Sequence, residues 1–229
     1  MTRLPLLKLP VLLLLLAFSC GASAQERKFE PVDEAAKDAS WTSFRKRLLD
    51  AVEKRDLKFV LGILDRNVRA SIDGQRGVAG FRKAWDVDAA DTPLWRELRA
   101  AMFLGAAYLK RDKGPQELCA PYVLAKWPND LDPLDYGAVI TKDVLVKAGP
   151  HADSSTLQTL SHEIVAVTDW EIADVAPAER QRWVKVRVKS GEGYIPEEQI
   201  RSPVEQSACF VKREGAWRMT AFAPAGGPQ

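Results

Sequence analysis

Two histidines, three cysteines and one dense run of carboxylates are the residues through which this chain could do acid–base, nucleophilic or metal chemistry. His151 lies in the turn-like stretch PHADSS, where an exposed imidazole needs no special role. His162 sits between Ser161 and Glu163 at the start of a strand-like run. Neighbours on a strand point to opposite faces, so these three cannot form a nucleophile–base–acid triad by adjacency. A cysteine nucleophile needs a positioned base, and Cys119 or Cys209 meets a histidine only if the tertiary fold brings them together. The segment NDLDPLDY places Asn129, Asp130, Asp132 and Asp135 close enough to offer oxygen ligands, but it lacks the glycine and terminal glutamate of a calcium loop. No Gly-rich phosphate loop, HExxH or CxxC occurs. The motifs therefore identify no enzyme, no metal site and no cofactor.

The N-terminus carries an export signal. Arg3 and Lys8 precede an apolar run from Leu9 to Phe18, and the small residues Gly21 to Ala24 follow it. Cleavage after Ala24 is expected, giving a periplasmic or secreted protein with no membrane insertion once processed. Ten apolar residues broken by Pro10 are too few to span a bilayer, which takes about 20. A lipoprotein anchored at Cys20 is the alternative, although Ala17 stands where a lipobox usually has Leu. The signal takes two basic residues and no acidic ones with it, so the formal charge falls from +2 to zero. A neutral chain gives no electrostatic case for nucleic acid.

The mature chain keeps two cysteines, Cys119 and Cys209, in a compartment where disulfides persist. Both have apolar neighbours, and the residues leave a bond between them and two separate buried thiols equally open.

The elements that would position these groups fall into two styles. Residues 25–39 are polar and read as a flexible leader. From Ser40, a candidate N-cap, Trp41, Phe44, Leu48 and Val52 share one helical face, and Leu57, Val60, Leu61 and Leu64 repeat the spacing. NVRASI alternates like a strand, and Val78, Phe81 and Trp85 return to helical spacing. Thr92-Pro93 opens a helix whose apolar face runs Leu94, Leu98, Met102, Gly105 and Leu109. From Val139 the period becomes two, in DVLV, TLQTL, EIVAVT and WVKVRVK. Val184, Val186 and Val188 would face a core and Lys185, Arg187 and Lys189 water.

VLVKAGP at 144–150, TLQTLS at 156–161, EIVAV at 163–167, RWVKV at 182–186 and GEGYIPEEQI at 191–200 together resemble the bacterial Src homology 3-like (SH3b-type) domain, over about residues 140–203. The sequence departs from that family at Lys147-Ala148, at Tyr194 and in the long loop from Trp170 to Arg182. The resemblance implies a small β-barrel of the kind that targets hydrolases to the cell wall. Trp170, Trp183 and Tyr194 would then line its groove for an extended peptide. The region before it is not recognised. The last stretch, ACFVKREGAWRMTAF, reads as a hairpin turning at Glu214-Gly215. With FRKRLLDAVEKRD near the start, it faintly resembles nuclear transport factor 2-like domains, which requires one unit to be inserted within another.

The expected fold class is α+β: an α-rich N-terminal domain (40–137), a Src homology 3-like barrel (138–203), a C-terminal β-hairpin (204–223) and a tail (224–229). The expected function is an exported, non-enzymatic binding protein whose barrel contacts cell-wall peptide or an envelope protein. The alternatives are a cell-wall hydrolase or other enzyme with its site in residues 40–137, and an envelope assembly or stress subunit. The sequence does not choose the ligand, the oligomeric state or the unit on which the hairpin packs.

Overall fold

The computed structural model describes residues 26–110, 115–175 and 181–226. The expected export signal, Cys20 and the expected cleavage position at Ala24 lie outside the described residues, as does the end of the tail.

Apolar residues at helical spacing build the first half. Helix α1 (Ala39–Glu53) buries Trp41, Phe44, Leu48 and Val52 on one face. Its N-cap is Asp38 rather than Ser40; the Asp38 carboxylate accepts from the amides of Ser40 and Trp41. Helix α2 (Leu57–Gly62) follows, capped by Asp56, and strand β2 (Leu64–Arg69) takes over at Leu64, within what the spacing suggested was helix. Helix α3 (Gly77–Ala84) buries Phe81, and helix α4 (Leu94–Phe103) buries Leu94, Leu98 and Met102. Helix α4 stops before Gly105, whose φ of +29° breaks the helical path. Leu109 therefore belongs to strand β3 (Ala107–Leu109), which pairs with strand β4 (Glu117–Ala120). Helix α5 (Tyr122–Lys126) leads away from β4.

A second sheet then forms before the first is complete. It contains β5 (Tyr136–Val139), β6 (Val144–Lys147), β7 (Thr156–Leu160), β8 (Glu163–Ala173), β9 (Arg182–Val188), β10 (Gly191–Pro196) and β11 (Ile200–Arg201), in the order β11-β5-β8-β9-β10-β6-β7. Only afterwards do β12 (Gln206–Arg213) and β13 (Ala216–Pro224) finish the first sheet, ordered β2-β13-β12-β4-β3. Their turn has positive φ at both Glu214 and Gly215, the twist a tight hairpin needs. Helices α1 to α4 cover one face of this first sheet.

This arrangement corrects the expected fold class. The chain is mostly β, with thirteen strands in two sheets and five short helices among the described residues. There is no α-rich N-terminal domain, because the sheet on which its helices pack takes β12 and β13 from the C-terminus. There is no closed barrel either. The second sheet is open, with β11 at one end of its path and β7 at the other. The C-terminal hairpin is no separate unit, since β12 pairs with β4 and β13 runs parallel to β2. The connectivity is interrupted: the first sheet is completed only after the second has been laid down.

The segment read as a leader, from residue 26 on, packs against the second sheet. Strand β1 (Arg27–Lys28) pairs with β8 at Ile164 and Glu163. The Phe29 ring is buried and stacks on Tyr122, 5.3 Å between centroids, in a small core that joins the two sheets. A single aromatic residue among polar neighbours supplies the anchor. Beside it, the Glu26 carboxylate is almost wholly covered and accepts from the Lys189 amide at 2.8 Å and the Gln158 side chain at 2.8 Å. Burial opposes its charge, but these hydrogen bonds and the Lys189 ammonium outweigh that cost and hold its pKa below the ordinary carboxylate range.

Candidate functional site

Cys119 and Cys209 stand directly opposite each other on β4 and β12, with Cα atoms 4.1 Å apart, and form a disulfide. They lie on the face of the first sheet away from the helices, covered by Leu124 and Ala125 of α5. Glu117 brings a carboxylate oxygen within 4.8 Å of both sulfurs. With both sulfurs bonded to each other, this group offers no thiolate to a metal.

The other candidates disperse. The Ser161 hydroxyl accepts from the Asp143 amide, and Glu163 pairs with Lys28 at 2.7 Å. His162 is buried with φ +55°, its carbonyl accepting from Phe29 and its Nδ1 without a hydrogen-bond partner among the described residues. His151 sits in its turn, beside Gly149. Asp130 is drawn to Arg27 at 2.8 Å, while Asp132 caps the local turn through the Leu134 amide, so these acids do not converge on one point.

Trp170, Trp183 and Tyr194 have different surroundings. Trp170 packs on the aliphatic core of the second sheet, close enough to Gly137 that a Cβ there would lie 3.2 Å from its ring. Trp183 is buried and its indole N–H donates to Asp174. Tyr194 is half-buried and pairs across the strands with Lys185, on the face opposite Val184 and Val186.

A cleft lies elsewhere, between helices α1 and α4 and the β11 end of the second sheet. Its volume is about 1430 Å³. Its helix wall carries Arg55, Arg96 and Arg99 against Glu53 and Glu97. Phe103, at the end of α4, is 73% exposed on the same wall. Arg96, Arg99 and Phe103 recur at spacings of three and four, so they form one stripe of the helix. The opposite wall carries Glu171, Glu197, Glu198 and Glu205 against Arg182 and Arg201. Arg182 is engaged by Glu171 and Glu197 at 2.6 and 3.1 Å.

Arg201 is the unusual member. Its side chain is only 8% exposed. The guanidinium pairs with Glu205 at 3.2 Å and donates to the Gln206 carbonyl at 2.7 Å, while Nε has no partner among the described residues. Holding a charged group in such surroundings is costly unless its partners are good. Glu205 also accepts from the Ser202 amide at 2.7 Å. Burial pushes the Glu205 pKa up, and Glu97 and Glu197 add to the rise against the pull of Arg201 and Ser202. The arrangement can hold ionic and polar groups between walls of opposite sign. Phe103 was the one readable sign of it, a large apolar residue out of phase with Leu94, Leu98 and Met102. Arg201 and Glu205 gave none, since RSPVE has no regular period.

Comparison with protein-family models, with curated proteins and with solved structures finds no match to this chain. Among the described residues no helix is long and apolar enough to cross a membrane.

Proposed function

We propose that this is an exported, non-enzymatic binding protein of the cell envelope, and that it takes cell-wall peptide or a segment of an envelope protein in the cleft beside α4. The observation that carries the reading is the cleft itself, with exposed Phe103 on one wall and buried Arg201 on the other. Its volume exceeds the 300–1,000 Å³ usual for small-molecule pockets, which favours an extended ligand. Aromatic and arginine side chains are the types most enriched where binding energy concentrates. The disulfide is in keeping with an oxidising compartment.

Retention of the mature protein on purified peptidoglycan tests this, with Phe103→Ala as the discriminating variant. Retention that Phe103→Ala weakens supports the cleft. Retention unchanged by Phe103→Ala places the ligand elsewhere, and no retention by peptidoglycan or by solubilised envelope proteins removes the reading. A second reading, an enzyme, draws on Glu205 alone: a half-buried carboxyl whose pKa is raised by desolvation beside an arginine is a candidate general acid. Release of soluble fragments from wall substrate, abolished by Glu205→Gln, would favour it.

A further inference from the structure

The two walls of the cleft differ in the sign of the charge they can offer. On the helix wall Arg96 pairs only with its neighbour Glu97, and Arg99 makes no ion pair among the described residues. Both are exposed on the stripe that ends in Phe103. On the sheet wall Glu197 and Glu198 occupy a short 3-10 turn just before Arg201, and Glu205 follows it. Glu171, Glu197, Glu198 and Glu205 outnumber Arg182 and Arg201 on that wall, so its net charge is negative even with both arginines paired. Arg201 adds no free positive charge to that wall, because Glu205 and the Gln206 carbonyl already hold its guanidinium. Its side chain is more than nine-tenths buried in the lining of the cleft, and its Nε, itself buried, has no partner among the described residues.

We infer that the cleft selects a short peptide bearing both a free amine and a free carboxylate, with the carboxylate against Arg96 and Arg99 and the amine against Glu197 and Glu198. The inference rests on the binding function proposed above and adds the ligand's class and its direction. A guanidinium pair suits a carboxylate because its planar donors match the two oxygens, and charge-assisted hydrogen bonds are the strong ones. Oppositely charged walls fix orientation, since a reversed ligand places like charges together. The apolar side chain next to the carboxylate rests on Phe103.

Titration calorimetry on the mature protein tests this with a lysine-containing tetrapeptide in four forms: free at both ends, N-acetylated, C-amidated, and capped at both. The free form is expected to bind tightest, and amidation to weaken it at least about tenfold, the effect of losing a hydrogen-bonded charge. Capping both ends should also block the salt dependence of the affinity at the termini. In the Arg96→Gln/Arg99→Gln variant, whose changes are at exposed positions, the free and amidated forms should bind alike while acetylation still weakens binding. Equal affinity of the free and amidated forms for the unaltered protein overturns the inference. Failure of all four to bind overturns it too. The peptidoglycan experiment with Phe103→Ala reads the wider proposal separately, because it does not depend on end charges.

Discussion

The two sheets are filled by different kinds of side chain. Between the helices and the first sheet lie Trp41, Phe44, Phe81, Trp85, Phe210 and Phe222. Trp41 meets Phe210 edge-on at 5.2 Å, and Trp85 stacks on Phe222 at 4.3 Å. The core cluster of the second sheet is valine, leucine and isoleucine, with Trp170 packed at its margin and Trp183 buried outside it. Irregularities in β6 and β8 bend that sheet, and short branched side chains fit the curved interior. Helices laid on a sheet leave wider gaps, which rings fill. The aromatic pairs also join the two ends of the chain: Trp41 and Trp85 precede the second sheet in sequence, while Phe210 and Phe222 follow it. The large residues therefore close the interrupted unit, and the small ones build a unit from neighbouring strands.

The largest test of that contrast is the disulfide, whose ends are separated by 90 residues. In the chain-entropy model a loop of this length is worth about 4 to 5 kcal/mol. The Cys119→Ser/Cys209→Ser variant should lose about that much in urea unfolding. A loss below about 1 kcal/mol would mean that the pairing of β4 with β12 already holds the two ends together in the unfolded ensemble. Next comes Phe210→Ala, which removes a fully buried ring that touches both Trp41 and Phe44. It should cost about 3 to 5 kcal/mol. Amide exchange should rise in α1 and β13 before it rises in β9; equal loss of protection in both would make the two sheets one cooperative unit rather than two.

The smallest effect is expected at Glu26, which ties the leader to the second sheet. Its folded pKa is lowered, so the stability it contributes is present above the ordinary carboxylate range and is lost as pH falls through the folded value. Glu26→Gln should cost about 1 kcal/mol near neutrality. The difference between the variant and the unaltered protein should shrink as pH drops below about 4. A difference that stays constant from neutral to acid pH would mean that packing of Phe29, not the Glu26 charge, holds the leader.

What the sequence made legible was local. The face of α1 from Trp41 to Val52 could be read because four apolar residues repeat at helical spacing. The alternation of β9 could be read because Val184, Val186 and Val188 are buried while Arg187 faces water. Strand β4 could not. All four of its residues are buried, so it has no alternating pattern, and its partners lie after the second sheet. The long helix expected through Leu109 failed at Gly105, where a helical spacing continued by chance into a strand. The candidate cleft was least legible of all. Its walls come from segments as far apart in sequence as Val52 and Gln206, and charged residues on an exposed helix face look alike whether or not another wall stands opposite.

The crosslink between β4 and β12 also decides how the molecule carries load. A tension applied along the chain passes through the S–S bond at Cys119 and Cys209, which short-circuits everything between them. The second sheet is then mechanically sheltered, and the force falls on the helices, on β2 and on the hairpin. At the N-terminal end β1, a strand of two residues paired with β8, is the part of the second sheet that lies outside the crosslinked loop, and it takes the load first. Pulled in an oxidising medium, the protein extends by less than its length; pulled in a reducing one, it releases the sheltered sheet as an additional step.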